Sequence, residues 1–425
     1  MVGIFAYPGY ARFWTADAVS TFGTYVTTVA LPTLAVLTLK ASDAQVGLLN
    51  GARWTPYLLF GLLAGVIADR YRRRPILVAT DLVRGGLLML VAGLAAAKML
   101  TVYELAAFVA AFGALSLLYD AAHQSYLPQL IPPSGLTSAN ARLQQTSAMA
   151  QSTGPFLGGS LVALVGAPVS MVVDAVSYLA SGAVLATIRR PEPAPDHETR
   201  DLRAELREGV RFVYRHPVLK STALTLHARF LFASVISTVF PLFVLHGLGH
   251  DAERAPFGLG LVMAAGGLGA LVGNTLSGRL GRFGAGRVVV GERLAEPCAW
   301  ALAALAAAGT AGWVMAAGAQ FLVWVALGVS GPSEMAYRQS VTPDRLQGRT
   351  NATIRSLNWG MFTIGAPVGG LLATHFGYRA AMWVAIAGMA VAAVVAALSP
   401  ARTARIAEDG PAAEGGPVAA AAAIG

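Results

Sequence analysis

Long apolar stretches, separated by short polar or Gly/Pro-rich breaks, set the pattern of the chain. Twelve recur, at about 12–39, 45–68, 76–97, 103–127, 140–165, 168–188, 221–246, 256–278, 288–309, 312–337, 351–374 and 378–398. Each is close to the ~20 residues that a helix needs to cross a ~30 Å hydrocarbon core. The pattern therefore predicts an all-α membrane protein with twelve transmembrane helices. One segment differs. Residues 189–220 open on a Pro-rich stretch, after which Leu202, Leu206, Val210 and Val213 recur at helical spacing among Arg and Glu. That spacing predicts an amphipathic helix lying on a membrane face. It makes 189–220 a linker between two six-span halves, 1–188 and 221–399. Residues 400–425, ending GPAAEGGPVAAAAAIG, have the low complexity expected of a disordered tail.

The chain also repeats itself. An offset of 211 residues places Tyr337 on Tyr126, Pro343 on Pro132, Asn351-Ala352 on Asn140-Ala141 and Gly365 on Gly154. The same register brings Gly369-Gly370 onto Gly158-Gly159 and Gly377 onto Gly166, and an offset of 209 brings Pro241 onto Pro32. Parallel duplication of a six-span unit accounts for these matches. Duplicated halves enclosing a midplane cavity are the architecture of secondary transporters.

Composition narrows the function further. Of 425 residues 55% are hydrophobic and only 12% charged, against about 25% charged in soluble domains. The net charge of +9 does not indicate a nucleic-acid partner, because the basic residues cluster between spans. With the N-terminus inside, twenty-one Lys and Arg fall in cytoplasmic segments and four in outside loops, so both termini are expected in the cytoplasm. Cys298 is the single cysteine, which excludes a disulfide framework. None of the three lysines follows a glycine, so no phosphate-binding Walker loop is present. The sequence holds no H-E-x-x-H, CxxC or G-x-S-x-G pattern either. No enzyme, cofactor or metal is expected.

Two loops carry more specific chemistry. The segment Gly65-Val-Ile-Ala-Asp69-Arg70-Tyr71-Arg72-Arg73-Arg74 follows span 2, and Gly154-Pro155-Phe-Leu-Gly158-Gly159 lies in span 5. The first resembles the G-x-x-x-D-R-x-G-R-R/K signature of the major facilitator superfamily, and the second its G-P-x-x-G-G antiporter motif. Asp81-Leu-Val-Arg84, Gln124 to Pro128, Asn140-Ala141-Arg142, Val210-Arg211-Phe212 with His216-Pro217, and Thr342-Pro343-Asp344-Arg345 are similar to the drug:proton antiporter branch of macrolide-efflux and enterobactin-exporter-like proteins. The resemblance covers about residues 10–400. It implies the major facilitator fold, a multi-pass monomer in a bacterial cytoplasmic membrane, and proton-driven export of a hydrophobic or amphipathic small molecule by alternating access. Import by the same fold, or a non-transporting sensor, are the alternatives. Three departures stand out: Arg72 replaces the signature's second glycine, Gly23-Thr24 stands where this branch often has Gly-Asp, and span 4 lacks the arginine motif of many proton-coupled members.

The resemblance also implies a gate, in which Asp69 groups with Arg73 and with Asp120 of span 4, while Gly65, Arg70 and Arg74 complete the loop. A carboxylate there can hold the positive N-terminal end of a facing helix in one orientation and release it in the other. In span 5, Gly154, Gly158 and Gly159 permit close helix approach and Pro155 kinks the span.

Ionisable residues within spans are functional candidates because burying charge in a bilayer costs several kcal/mol. Asp17 in span 1 and Glu334 in span 10 are the candidates for proton coupling, ahead of Asp174, Glu292 and Glu296. Arg53 and Arg229 either neutralise such acids or contact a substrate. Trp54 and Tyr25, with Phe230 and Trp359, are candidate cavity aromatics. The expected partners are the lipid bilayer, a small-molecule substrate and protons.

Overall fold

The computed structural model describes residues 7–190, 192, 202–249 and 255–403. Among them are thirteen α-helices and no strand. The first six are α1 (Pro8–Thr33), α2 (Asp43–Arg70), α3 (Arg73–Ala96), α4 (Val102–Leu130), α5 (Pro133–Val165) and α6 (Ala167–Ala186). A shorter helix, α7 (Leu202–Arg215), is followed by α8 (Pro217–Leu242), α9 (Ala255–Gly281), α10 (Ala285–Ala304), α11 (Thr310–Val341), α12 (Asp344–Phe376) and α13 (Tyr378–Leu398).

Among the described residues eight helices are long and apolar enough to cross a membrane: α1, α3, α4, α6, α8, α9, α11 and α13. The other four long helices, α2, α5, α10 and α12, are diluted by glycine, amide and charged residues, and they use these polar residues inside the bundle. Local chemistry sets the ends. Ser42 with Gln45, and Thr101 with Glu104, form reciprocal capping boxes at the starts of α2 and α4. Gly166 and Gly377, one 211-residue repeat apart, turn α5 into α6 and α12 into α13 at φ +83° and +80°, a region that side chains avoid. Pro32 and Pro241 each interrupt the helical ladder, and each is followed by a π-helical turn, Leu34–Thr38 and Phe243–Gly247.

The packing repeats as the sequence does. α1 packs on α5 and α6, α3 on α4 and α6, and α2 on α4; correspondingly α8 packs on α12 and α13, α10 on α11 and α13, and α9 on α11. The repeated glycines make equivalent contacts. A Cβ on Gly158 would lie 2.8 Å from the Val26 Cα of α1, and one on Gly369 would lie 3.0 Å from the Val235 Cα of α8. Two crossings, α2 on α12 and α5 on α9, join the groups. The α5–α9 approach is tightest midway, where a Cβ on Gly267 would lie 2.2 Å from the Ser152 Cα, and both crossings are also close at the end remote from α7. There Gly47 faces Gly370, and Gly159 faces Gly260, with backbones too near for any side chain between them.

Three sequence expectations are corrected. α5 and α12 begin at 133 and 344 rather than near 140 and 351, because apolarity marks only the stretch within the bilayer while the hydrogen-bonded helix continues past it. Residues 400–403 form a 3-10 turn with Ala401 buried against Gly286; residues 404–425 lie outside the described residues. The amphipathic α7 is not simply laid on lipid. Val213 is fully buried with Ala223, Leu226 and Ile354 of α8 and α12, while Val210 remains exposed. Glu208 pairs with Arg349, and the Tyr214 hydroxyl meets His227 Nε2 at 2.8 Å. The His216 ring caps α8, accepting from the Leu219 N–H at 3.2 Å. Burial pushes its pKa down, which keeps that nitrogen free to accept.

The glycine crossings give a test by sign. Gly260→Ala places a Cβ 2.5 Å from the Pro155 carbonyl oxygen, whereas Gly291 in α10 has nothing within 4 Å. Thermal unfolding in detergent is expected to show Gly260→Ala destabilised by about 1–3 kcal/mol. Gly291→Ala is expected to be neutral or stabilised by up to about 1 kcal/mol from helix propensity. A Gly260→Ala protein as stable as the parent would contradict the close crossing.

Candidate functional site

Halfway along the α2–α12 crossing the glycines give way to aromatic rings. Trp54 and Trp359 stack with centroids 4.1 Å apart and planes 8° apart. Phe230 of α8 stands perpendicular to Trp359 at 5.4 Å, and Phe362 lies 5.5 Å from Trp54. Each well-oriented aromatic pair adds about 0.5–1.5 kcal/mol beyond its buried area. Arg53 places its guanidinium carbon 5.4 Å from the Trp54 centroid. Closer to the α7 end, Arg355 of α12 donates to Asp120 of α4 at 2.9 Å, and the Tyr57 hydroxyl donates to the same carboxylate oxygen at 3.1 Å. The side chains of this ion pair are 40% and 38% exposed. So wet a pair contributes only about 0–1 kcal/mol. The connection between the repeats is thus dry and tight at one end, aromatic in the middle, and held by a weak, water-reachable ion pair further on.

The expected gate grouping centres on Asp69, whose side chain, like the surroundings of Gly65, lies outside the described residues. Among the described residues Asp120 has Arg355 and Tyr57 as its partners. Arg70 ends α2 and is exposed. The backbone N–H groups of Arg73 and Arg74, at the start of α3, donate to the Glu192 carboxylate at 2.6 and 3.0 Å. A carboxylate therefore does hold a helix N-terminus here, and it comes from the segment after α6. The Arg74 guanidinium caps the other side of that junction, donating to the carbonyls of Leu185 and Ala186. Arg72 has φ −62° and ψ 131°, extended backbone that needs no glycine, which explains why the signature's second glycine is dispensable. In α5, Gly154 lies against Tyr25 and Gly158 against Val26, while Pro155 offers its carbonyl toward Gly260 of α9. The G-P-x-x-G-G segment thus joins α1 on one face and α9 on the other.

The coupling candidates are both engaged. Asp17 lies 3.0 Å from His123 Nε2, with Phe13 and Tyr119 stacked on the imidazole at 4.6 and 5.5 Å. Glu334 accepts from Arg293 at 3.2 Å. Arg293 also pairs with Glu292. Arg229 is buried, donating to Glu296 at 2.6 and 3.1 Å and lying 3.2 Å from Glu292. Arg229 therefore neutralises acids rather than standing on a cavity wall. The sequence reading missed His123, Glu192 and this pairing of α8 with α10. A signal for His123 was present: the 211-residue offset places it on Glu334, so one member of each pair occupies an equivalent position of the repeat, while the partners, Asp17 of α1 and Arg293 of α10, do not.

Burial predicts unequal costs for the two kinds of ion pair. Arg229→Met strands Glu296 and leaves Glu292 with Arg293 alone, an expected loss of about 3–5 kcal/mol. Asp120→Asn is expected to cost about 0–1 kcal/mol. Thermal unfolding of the purified variants checks the difference, and equal losses would contradict it.

Comparison with known proteins adds the following. Residues 4–416 match the family described as transmembrane secretion effector. The uncharacterized MFS-type transporter YfiS of Bacillus subtilis is 24% identical over 393 residues, covering 88% of this chain and 89% of its own. The multidrug efflux pump Tap of Mycolicibacterium fortuitum is 27% identical over 398 residues, covering 89% of this chain and 92% of its own. A bacterial homolog of the human lysosomal transporter Spinster, solved inward-facing and unoccupied, superposes with a TM-score of 0.75 at 16% identity, covering 95% and 99% of the two chains.

Proposed function

Because the chain belongs to the transmembrane secretion effector family of major facilitator transporters, we propose that it is a proton-driven exporter of hydrophobic or amphipathic small molecules. It works by alternating access between two six-helix halves, α1–α6 and α8–α13, in a bacterial cytoplasmic membrane with both termini inside. The observation that carries this reading is the graded connection between α2 and α12. Glycine contacts close the end remote from α7, and the weak Asp120–Arg355 pair stands toward the other. Such a connection can pivot, since the ion pair on the α7 side is one that water replaces at small cost, whereas opening the remote side separates packed backbone. Similarity to the efflux pump Tap and the Gly154-Pro155 segment support outward transport. The apolar and aromatic character of Trp54, Trp359, Phe230 and Phe362 suits a substrate that partitions from lipid.

Proton coupling falls to the titratable pairs in the bundle. Asp17 can take up or release a proton beside His123, and Glu334 can do so beside Arg293, whose guanidinium stays charged throughout. In either pair the change in charge alters how two helices of one half attract each other, which is the differential interaction that a population shift requires.

Efflux from energised cells that lack their own pumps tests this, with a panel of lipophilic dyes and antibiotics and with or without a protonophore. The expected result is protonophore-sensitive efflux. In Asp17→Asn it falls by roughly 5- to 150-fold, the span of a coupling free energy of about 1–3 kcal/mol, at unchanged membrane expression. Wild-type efflux that ignores the protonophore would overturn proton drive, and parental efflux in Asp17→Asn would remove that residue from coupling.

A further inference from the structure

Among the described residues of the first six helices, one buried carboxylate stands without a balancing charge. Asp81 is paired with Arg84 and accepts from Ser181. Asp174 of α6, equally inaccessible, forms no ion pair among the described residues. Its two oxygens meet only hydroxyls, Thr27 of α1 and Ser177 of its own helix, the latter at 3.1 Å. Gly23 makes room for it, because a Cβ there would lie 2.5 Å from Asp174 Oδ1. An ionised carboxylate in so dry a place, with no cation against it, would carry a penalty of several kcal/mol. The arrangement instead suits a carboxyl that keeps its proton and shares it with Thr27.

Asp174 also borders a cavity of about 40 Å³, larger than the 10–15 Å³ or so that one water requires. Thr24, Thr27, Phe108 and Phe112 share its wall, and so does Arg53 of α2. Arg53 forms no ion pair among the described residues, and its guanidinium rests near Trp54. The other charged or titratable groups facing this region are already committed. Arg84 of α3 is held by Asp81 and lies 4.2 and 4.5 Å from the Tyr119 and Tyr178 centroids of α4 and α6. The Tyr178 hydroxyl is 2.7 Å from that of Thr24. One buried acid without a cation and one cation without an acid thus face the same small chamber.

We propose that Asp174 is a proton-binding site of the first six helices, and that Arg53 becomes its counter-charge when the proton leaves. The step is a simple transfer. The carboxyl O–H bond breaks, the proton passes to water in the cavity, and the carboxylate accepts from the Arg53 guanidinium swung across from Trp54. Losing Arg53 changes the stacked Trp54–Trp359 pair, so proton occupancy in the first six helices is felt at the α2–α12 crossing. The inference deepens the proton-driven reading and rests on it for its role in transport, though not for the existence of the site.

Infrared difference spectroscopy of the protein reconstituted in phospholipid, scanned through pH, tests the site without a substrate. The expected result is a carboxylic C=O band that disappears on raising the pH and is missing in Asp174→Asn. In Arg53→Gln, which retains Asp174, the band should persist to higher pH by about one unit, roughly a tenfold gain in proton affinity. A band unaltered by Asp174→Asn would overturn the proposal, and so would a midpoint indifferent to Arg53→Gln. Liposome flux separates the two readings. Flux driven by a proton gradient in Asp174→Asn as in the parent would remove Asp174 from coupling. A titrating Asp174 band in a protein whose flux ignores the gradient would keep the site and discard the proton-driven function.

Discussion

A charge inside a bilayer must find its counter-charge within the protein, and the organisation of this chain follows from that requirement. The bilayer core offers no water to solvate Arg229, Arg293, Glu292 or Glu296, so α8, α10 and α11 are tied together through them. Arg84 and Asp81 tie α3 to α6 through Ser181 in the same way. These buried networks make each set of helices hard to pull apart, since removing one member leaves another stranded. Where α4 meets α12 the ion pair is instead half exposed. Charge is locked within each group of helices and only loosely shared between them, a distribution suited to two rigid bodies that move against each other.

Backbone proximity supplies the complementary restraint. At Gly47–Gly370 and Gly159–Gly260 the helices touch without side chains, and the Asp43 carboxylate accepts from the Tyr378 hydroxyl nearby at 3.2 Å. Without a hydrophobic driving force between helices in lipid, such contacts hold by packing and by the polar groups they bring together. The α2–α12 crossing passes from this glycine end, through the tryptophan stack, to the Asp120–Arg355 pair, so strength declines along its length. A pivot located near the aromatic rings would act at the residues proposed to meet the substrate, Trp54 and Trp359.

Much of this was legible in the sequence. The twelve apolar stretches correspond to helices, and the offset of 211 residues reappears as Gly166 and Gly377 at matching turns and as Gly158 and Gly369 on matching neighbours. Glycine and proline leave such traces because their effects are local in the backbone. Partnerships between side chains leave far weaker ones. That Asp17 meets a histidine, that Asp120 meets Arg355, and that Glu192 holds the start of α3 all depend on helix rotation and on segments distant in the chain. The arginines of the loop after α2 read as a charge cluster, yet Arg74 spends its guanidinium on two carbonyls of α6. Asp174 ranked behind Asp17 because a sequence shows which charges lie within a span but not which of them lack a partner.

The most direct test of the pivoting account is a pair of spin-label distances in a Cys298→Ser background, which removes the exposed native cysteine. One pair of labels, at Ser138 and Gly348, spans the α7-side ends of α5 and α12. The other, at Met99 and Leu305, spans the remote ends beyond α3 and α10. Electron–electron double resonance in lipid, at low and high pH, should show the two distances changing in opposite directions. Two distances that stay fixed, or that lengthen together, would contradict the account.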